Sequence, residues 1–190
     1  MNEITRQILD QIPSNVKFSE EDAELLIKHK DKLLEWEDGL IEGFYDSLFN
    51  HDTTRAVFEE GERPAREQTL RDWYRRTLNG PFDDNYWEWQ TYVGLVHIKR
   101  KVNNAMVAGM WGWIATYLGR KALEEFPQEE ALKLISAVHS LQANVTALIV
   151  ESYLKNMFVA IDKAAGLSEA LLGRLVATEI DDMLAKAKSS

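Results

Sequence analysis

From Gln128 to about Ala165 apolar residues recur at steps of three and four without a break, through Leu132, Ile135, Val138, Leu141, Val145, Leu148, Ile149, Tyr153, Met157 and Ile161. That period belongs to one face of an α-helix. At 1.5 Å per residue a single helix of this length spans about 55 Å, beyond the roughly 30 Å of a small domain. Part of it must therefore pack on something besides its own core, and a second copy is the simplest partner. Leu134, Val138, Leu141, Val145 and Leu148 approach a heptad-like seam. The expectation is a homodimer in which the 128–165 helix and its neighbour pair with those of the copy as a four-helix bundle.

The rest of the chain reads the same way. Its four prolines, at positions 13, 64, 81 and 127, each fall where a helical pattern pauses, as residues that break a helix interior should. Ser19-Glu-Glu-Asp22 has the form of a helix N-cap with acidic residues in the first turn. Helices are expected over 2–11, 20–34, 36–50, 52–60, 65–78, 83–98 and 102–123, ahead of the long one. Another amphipathic pattern, with Leu172, Leu175, Val176, Ile180, Met183 and Leu184, predicts a last helix from Ser168 to about Ala187. The fold class is all-α: one domain over residues 1–165, then a C-terminal helix over 166–190 that closes the dimer or leads to a downstream module.

Composition narrows the function. A chain of 190 residues with 45% hydrophobic and 28% charged residues is long enough to bury a substantial core and is no disordered segment. Its net charge of −9 argues against nucleic acid or an anionic membrane as partner. No cysteine is present, which removes disulfides, thiolate catalysis and cysteine-ligated metal centres. The N-terminus lacks a basic stretch followed by an apolar core, and no uninterrupted apolar run approaches the roughly 20 residues of a membrane span. The expected compartment is the cytosol.

Phosphate loops, dinucleotide fingerprints, Gly-x-Ser-x-Gly and His-Glu-x-x-His are all missing, and no histidine has a Glu three residues before it as di-iron bundles require. Attention falls on the four histidines. His29, between Lys28 and Lys30, is expected to be exposed. His51, at a helix end, is expected to meet terminal carbonyls. His139 lies in the long helix, where a register role is the ordinary one. His97, in Tyr92-Val-Gly-Leu-Val-His97-Ile-Lys-Arg100, stands on an apolar helical surface with Val93 at i−4 and Gly94 at i−3. A flat ligand could press on that face, although a packed core histidine satisfies the same pattern. Phe82, Tyr86, Trp87, Trp89 and Tyr92 crowd the same region, as a bulky core or as the wall of a planar cofactor.

Several of these pieces occur in one order: Gly43-Phe44-Tyr45-Asp46, Trp73, Asn79-Gly80-Pro81-Phe82-Asp83, Tyr86, and Val93-Gly94-Leu95-Val96-His97-Ile98. Over residues 19–160 this combination resembles the haem-binding sensor globins, that is, protoglobins and the globin domains of globin-coupled sensors. The resemblance implies a globin-like fold with an extra N-terminal helix, carrying haem b (iron protoporphyrin IX). It makes His97 the proximal iron ligand and Tyr45 the distal hydroxyl that donates to bound O2. A donor in an apolar pocket favours O2, which carries partial negative charge on iron, over neutral CO. Phe44 becomes an apolar pocket wall, Thr69 a second distal hydroxyl, and Val93, Val107 and Trp111 the lining of the proximal face.

Two departures from the relatives stand out. Lys99-Arg100-Lys101 follows the histidine, where the cations could meet haem propionates or face water. Arg66 stands where relatives often hold an apolar residue, so it gates the pocket or points outward. The resulting expectation is a homodimeric sensor domain that reversibly binds O2, NO or CO. A haem enzyme acting on NO or peroxide, and a haem-free dimerisation module, are the alternatives.

Overall fold

A computed structural model describes residues 2–188. Among them the chain forms ten helices and no strand. They are α1 (Glu3–Asp10), α2 (Glu20–Lys28), α3 (Lys30–Glu35), α4 (Glu37–Phe49), α5 (Asp52–Arg55), α6 (Arg63–Asn79), α7 (Asp84–Arg100), α8 (Asn104–Glu125), α9 (Gln128–Ala165) and α10 (Glu169–Lys188). The starts of α1, α2, α7 and α8 are set by short polar side chains that accept from the first free backbone N–H groups. Ser19 and Asp22 form a reciprocal capping box on α2, Asp83 accepts from Tyr86 N at 2.9 Å, and Asn103 accepts from Met106 N at 2.9 Å.

The segment expected as one helix over 20–34 is divided at His29, whose backbone ends α2 and precedes α3. His29 also corrects an expectation, because its side chain is only 14% exposed. The ring sits edge-on to Phe126, and its Nε2 lies 2.5 Å from Glu130 Oε1, tying the α2–α3 junction to the start of α9. Lys28 reaches the same Glu130 oxygen at 2.8 Å from the exposed side, while the His29 ring turns in. Helix α5 is shorter than the expected 52–60, ending at Arg55. His51 bonds through Nδ1 to the Thr53 hydroxyl at 2.8 Å rather than to a helix carbonyl.

The chain divides into two units, Met1–Ser152 and Tyr153–Ser190. In the first, helix α4 crosses α8 at close range. A Cβ on Gly43 would lie 2.7 Å from Trp113 Cζ2, closer than side chains tolerate, and Gly39 similarly accommodates Tyr117. The Trp113 and Tyr117 rings stack at 5.3 Å, so glycines one turn apart on α4 admit an aromatic ladder from α8. A polar clamp joins α4 to α6: buried Glu37 accepts from Arg75 at 2.7 and 2.8 Å and from Arg71 at 2.6 Å. Burial pushes the Glu37 carboxyl up, but the two guanidiniums outweigh it and hold the group below its ordinary value. Thr5 on α1 meets Thr91 on α7 through their hydroxyls at 2.8 Å, which docks the N-terminal helix.

The long helix contradicts the predicted dimer seam. Leu134, Val138, Leu141, Val145 and Leu148 are all between 0 and 5% exposed within this single chain, so they are spent on its own core. Helix α9 is long and apolar enough to cross a membrane by length and composition, yet residues from Ala131 to Ser152 bury one side of it in the first unit.

In the second unit the tail of α9 ends where the N–H of Gly166, at positive φ, donates to Asp162 O at 2.7 Å. Ser168 then starts α10, its carbonyl accepting from Leu172 N at 2.9 Å. None of the α10 residues is buried, and Leu175, Val176, Ile180, Met183 and Leu184 are exposed.

Candidate functional site

Helix α7 divides its residues between two faces. Trp87, Thr91 and Gly94 are buried, and on that side Ser152 of α9 donates to the Thr91 carbonyl at 2.9 Å. Gln90, Val93, His97 and Arg100, at helical steps of three and four, line a cavity of about 340 Å3. Glycine 94 is not part of that lining, so Val93 and Val96, not the glycine, make the apolar floor beside the imidazole. Phe44, Tyr45 and Leu48 reach the cavity from α4; Arg66, Thr69, Leu70 and Trp73 from α6; Val107, Met110 and Trp111 from α8. Every site residue singled out in the sequence, namely His97, Tyr45, Phe44, Thr69, Val93 and Trp111, borders this one space.

The walls are mostly apolar, so the few polar atoms among them stand out. His97 Nδ1 is buried and has no hydrogen-bond partner. Burial pushes the ring down to about 4, and the adjacent Arg100 charge acts in the same direction. The imidazole is therefore neutral at pH 7, the state in which a ring nitrogen can ligate a metal. Gln90, wholly buried, gives its Oε1 to the Trp73 indole N–H at 3.3 Å and leaves its Nε2 unpartnered. Arg66 Nε is buried 3.3 Å from a Glu62 oxygen, an ion-pair distance without hydrogen-bond alignment. Unpartnered buried polar atoms are costly and rare, and here those of His97 and Gln90 border one cavity. A site that a bound group completes has this appearance.

The hydroxyls opposite are committed elsewhere. Tyr45 donates to the Arg66 carbonyl at 2.7 Å, and burial holds its hydroxyl well above the ordinary phenol range, so it stays protonated. Thr69 donates to the Ala65 carbonyl at 3.0 Å, one turn back on its own helix, and is exposed. Both protons lie on main-chain carbonyls of α6.

The basic run after His97 separates cleanly. Lys99 and Lys101 are exposed, Lys101 as the left-handed cap of α7, whereas Arg100 turns inward and donates to Glu62 at 2.8 Å. Glu62 is held below its ordinary range, first by that bond and then by the Glu59 N–H. Sequence reasoning missed Gln90 and Glu62. Gln90 sits two turns before His97 on the same face, a spacing that could have found it; Glu62 is joined to Arg100 only by the tertiary fold.

An all-α domain of this order, with a histidine and apolar residues of α7 facing aromatics of α4 across one cavity, defines a globin. The protoglobin family model matches residues 5–158, and the chain belongs to that family. Among solved structures it resembles the globin domain of the Geobacter sulfurreducens globin-coupled sensor, at 23% identity over 78% of this chain and 96% of that one, with a TM-score of 0.69. No sequence relative is found among proteins of curated function.

Proposed function

We propose that this globin binds haem b in the α4–α6–α7–α8 cavity and reversibly takes up a diatomic gas as a sensor domain. The observation that carries the reading is the neutral imidazole of His97, with an unpartnered Nδ1, on the wall of an apolar cavity of about 340 Å3. That volume lies within the range of cofactor pockets. His97 would hold the iron through its other ring nitrogen; Val93 and Trp111 would face one side of the porphyrin, Phe44 and Tyr45 the other, with Thr69 at the edge. Arg66 and Arg100, which border the cavity, are better placed for the propionates than exposed Lys99 and Lys101. When bound, haem would supply the iron that takes up O2, NO or CO. The remaining residues exclude water and fix the imidazole.

The same reading makes residues 1–165 the sensor domain, 166–190 a dimer contact or linker, and the cytosol the compartment. A homodimer through the 128–165 helix remains part of it, but the seam is reassigned. Since Leu134 to Leu148 are internal, the copy would meet the other face of α9 and the exposed apolar residues of Tyr153–Ser190. The deciding experiment is an absorption spectrum of protein purified from haem-supplemented cells. A Soret band lost in His97→Ala supports the proposal; a colourless protein that fails to take up added haem removes it.

A further inference from the structure

The uncovered end of the molecule keeps a period that its own break does not disturb. In the tail of α9 the apolar positions Leu154, Phe158, Ile161 and Ala165 follow steps of four, three and four. In α10 the positions Leu172, Val176, Ile180, Met183 and Ala187 follow steps of four, four, three and four. Ala165 and Leu172 are joined by the same steps, four to Glu169 and three more, so one eleven-residue repeat runs from 154 to 187 without a change of phase. An eleven-residue repeat is that of helices wound together at about 3.67 residues per turn. Such a stripe stays on one side only while the helix beneath it is continuous. Here the helix is interrupted between Ala165 and Glu169. Gly166 takes φ 66° with nothing within 4 Å of where a Cβ would stand, and both Gly166 and Ser168 are exposed. The bonds of the turn are local, from Gly166 N–H to Asp162 O and from Leu172 N–H to Ser168 O. No residue of α10 is buried, so the turn does not fold that helix onto a cover.

Charge indicates what covers the stripe. Between 153 and 188 five cations (Lys155, Lys163, Arg174, Lys186 and Lys188) balance five carboxylates (Asp162, Glu169, Glu179, Asp181 and Asp182), so the net charge of −9 lies wholly on the rest of the chain. Two copies therefore repel through the rest of the chain and can meet along this neutral segment. A long apolar repeat on one helix face is also what self-pairing helices present. Resting on the dimer reading above, we propose that the Gly166–Ser168 turn is a hinge. When the stripe pairs with that of a second copy, α9 and α10 join into one unbroken helix over 128–188. In the free chain the glycine suits the left-handed turn at no steric cost; in the pair the three residues take helical backbone. Glu169 is the one charged residue among the repeat positions, so the seam is weakest beside the turn, where it must open.

Proline at position 169 separates the two states. Glu169 is the first residue of α10, where proline is favoured, but inside a continuous helix proline removes a backbone bond and meets the carbonyl four residues earlier. Glu169→Pro should leave the circular dichroism of the dilute full chain unchanged and weaken self-association at least about 100-fold in sedimentation equilibrium, whereas Glu169→Ala should hold or tighten it. A distance gives the second measure. The chain has no cysteine, so Ala160→Cys and Asp182→Cys, both exposed and off the stripe, carry spin labels alone. Diluted into unlabelled chain, each labelled pair reports on a single copy. In the associated state the pair should stand about 33 Å apart, the length of the intervening residues as straight helix at 1.5 Å each. Association that survives Glu169→Pro, or a label distance that stays short of this value in the associated chain, would overturn the hinge and leave the dimer standing. A chain that remains monomeric at high concentration defeats both.

Discussion

The two halves of α9 carry the same apolar period and meet opposite fates. Between Ala131 and Ser152 the apolar side is buried, with Ala131, Ala137, Val145 and Leu148 at 0% exposure. Beyond Tyr153 it is open, with Leu154, Met157, Phe158 and Val159 exposed, and α10 adds five more large apolar residues without cover. Helical spacing thus tells that a face is apolar, not what will cover it. The first half has partners close by in the fold, including Phe18, whose N–H donates to Asn144 Oδ1 at 3.1 Å. In the second half stability and association become separable quantities, and substitutions can measure each.

The largest effect should come from the covered half. Leu148→Ala removes a side chain at 0% exposure and should destabilise the fold by about 2–5 kcal/mol, read by urea denaturation; a cost under about 1 kcal/mol would break the contrast. Next comes the α4–α8 crossing in the same unit. Gly43→Val places a branched side chain against Trp113 and should cost about 1–3 kcal/mol, with the change visible in tryptophan fluorescence.

Smaller, and dependent on pH, is the Glu37 clamp. Glu37→Gln should cost about 1–2 kcal/mol at pH 7, the lower part of the range for charge-assisted bonds because Arg75 is half exposed. The folded Glu37 is held below its ordinary value of 4.5, so the unfolded chain takes up its proton first as pH falls. The clamp's contribution should therefore be undiminished from neutral pH down to the ordinary carboxylate value. Below that it should fade as pH drops through the lowered folded value, so the wild-type and Glu37→Gln denaturation curves converge there. Divergence toward acid would reverse the sign assigned to this group.

The smallest effect on unfolding belongs to the uncovered half. Ile180→Ser, at a residue 45% exposed, should change the stability of the isolated chain by less than about 0.5 kcal/mol while weakening self-association in sedimentation equilibrium. An unchanged association constant would discard α10 as a dimer contact.

The elements of the fold were legible because periodicity and capping are local properties. Ser19 and Asp22, Asp83, and the pause at Phe126-Pro127 mark boundaries from within a few residues of sequence. The apolar face that carries His97 was legible for a related reason, since its neighbours over one turn are apolar, whereas the ligand role of His97 is implied by the family resemblance alone. What the sequence obscured depends on three dimensions. The lysines beside His29 suggested water, whereas Phe126 and Glu130, about a hundred positions away, enclose it. The seam on α9 matched a heptad, but heptad spacing does not distinguish a partner chain from the chain's own helices. Within the site, Tyr45 was found by pattern while the destination of its proton was not, because the Arg66 carbonyl that accepts it lies on another helix.

The paired glycines of α4 have a bearing on how any signal could leave the cavity. At Gly39 and Gly43 the α4 backbone is set directly against the phenol and indole rings of α8, which leaves no room for one helix to slide past the other there. Phe44 and Tyr45 on the first and Val107 and Trp111 on the second are therefore mounted on a single rigid frame. The Glu37 clamp adds α6 to that frame, so three walls of the cavity are fixed to one another while α7 brings His97 to them.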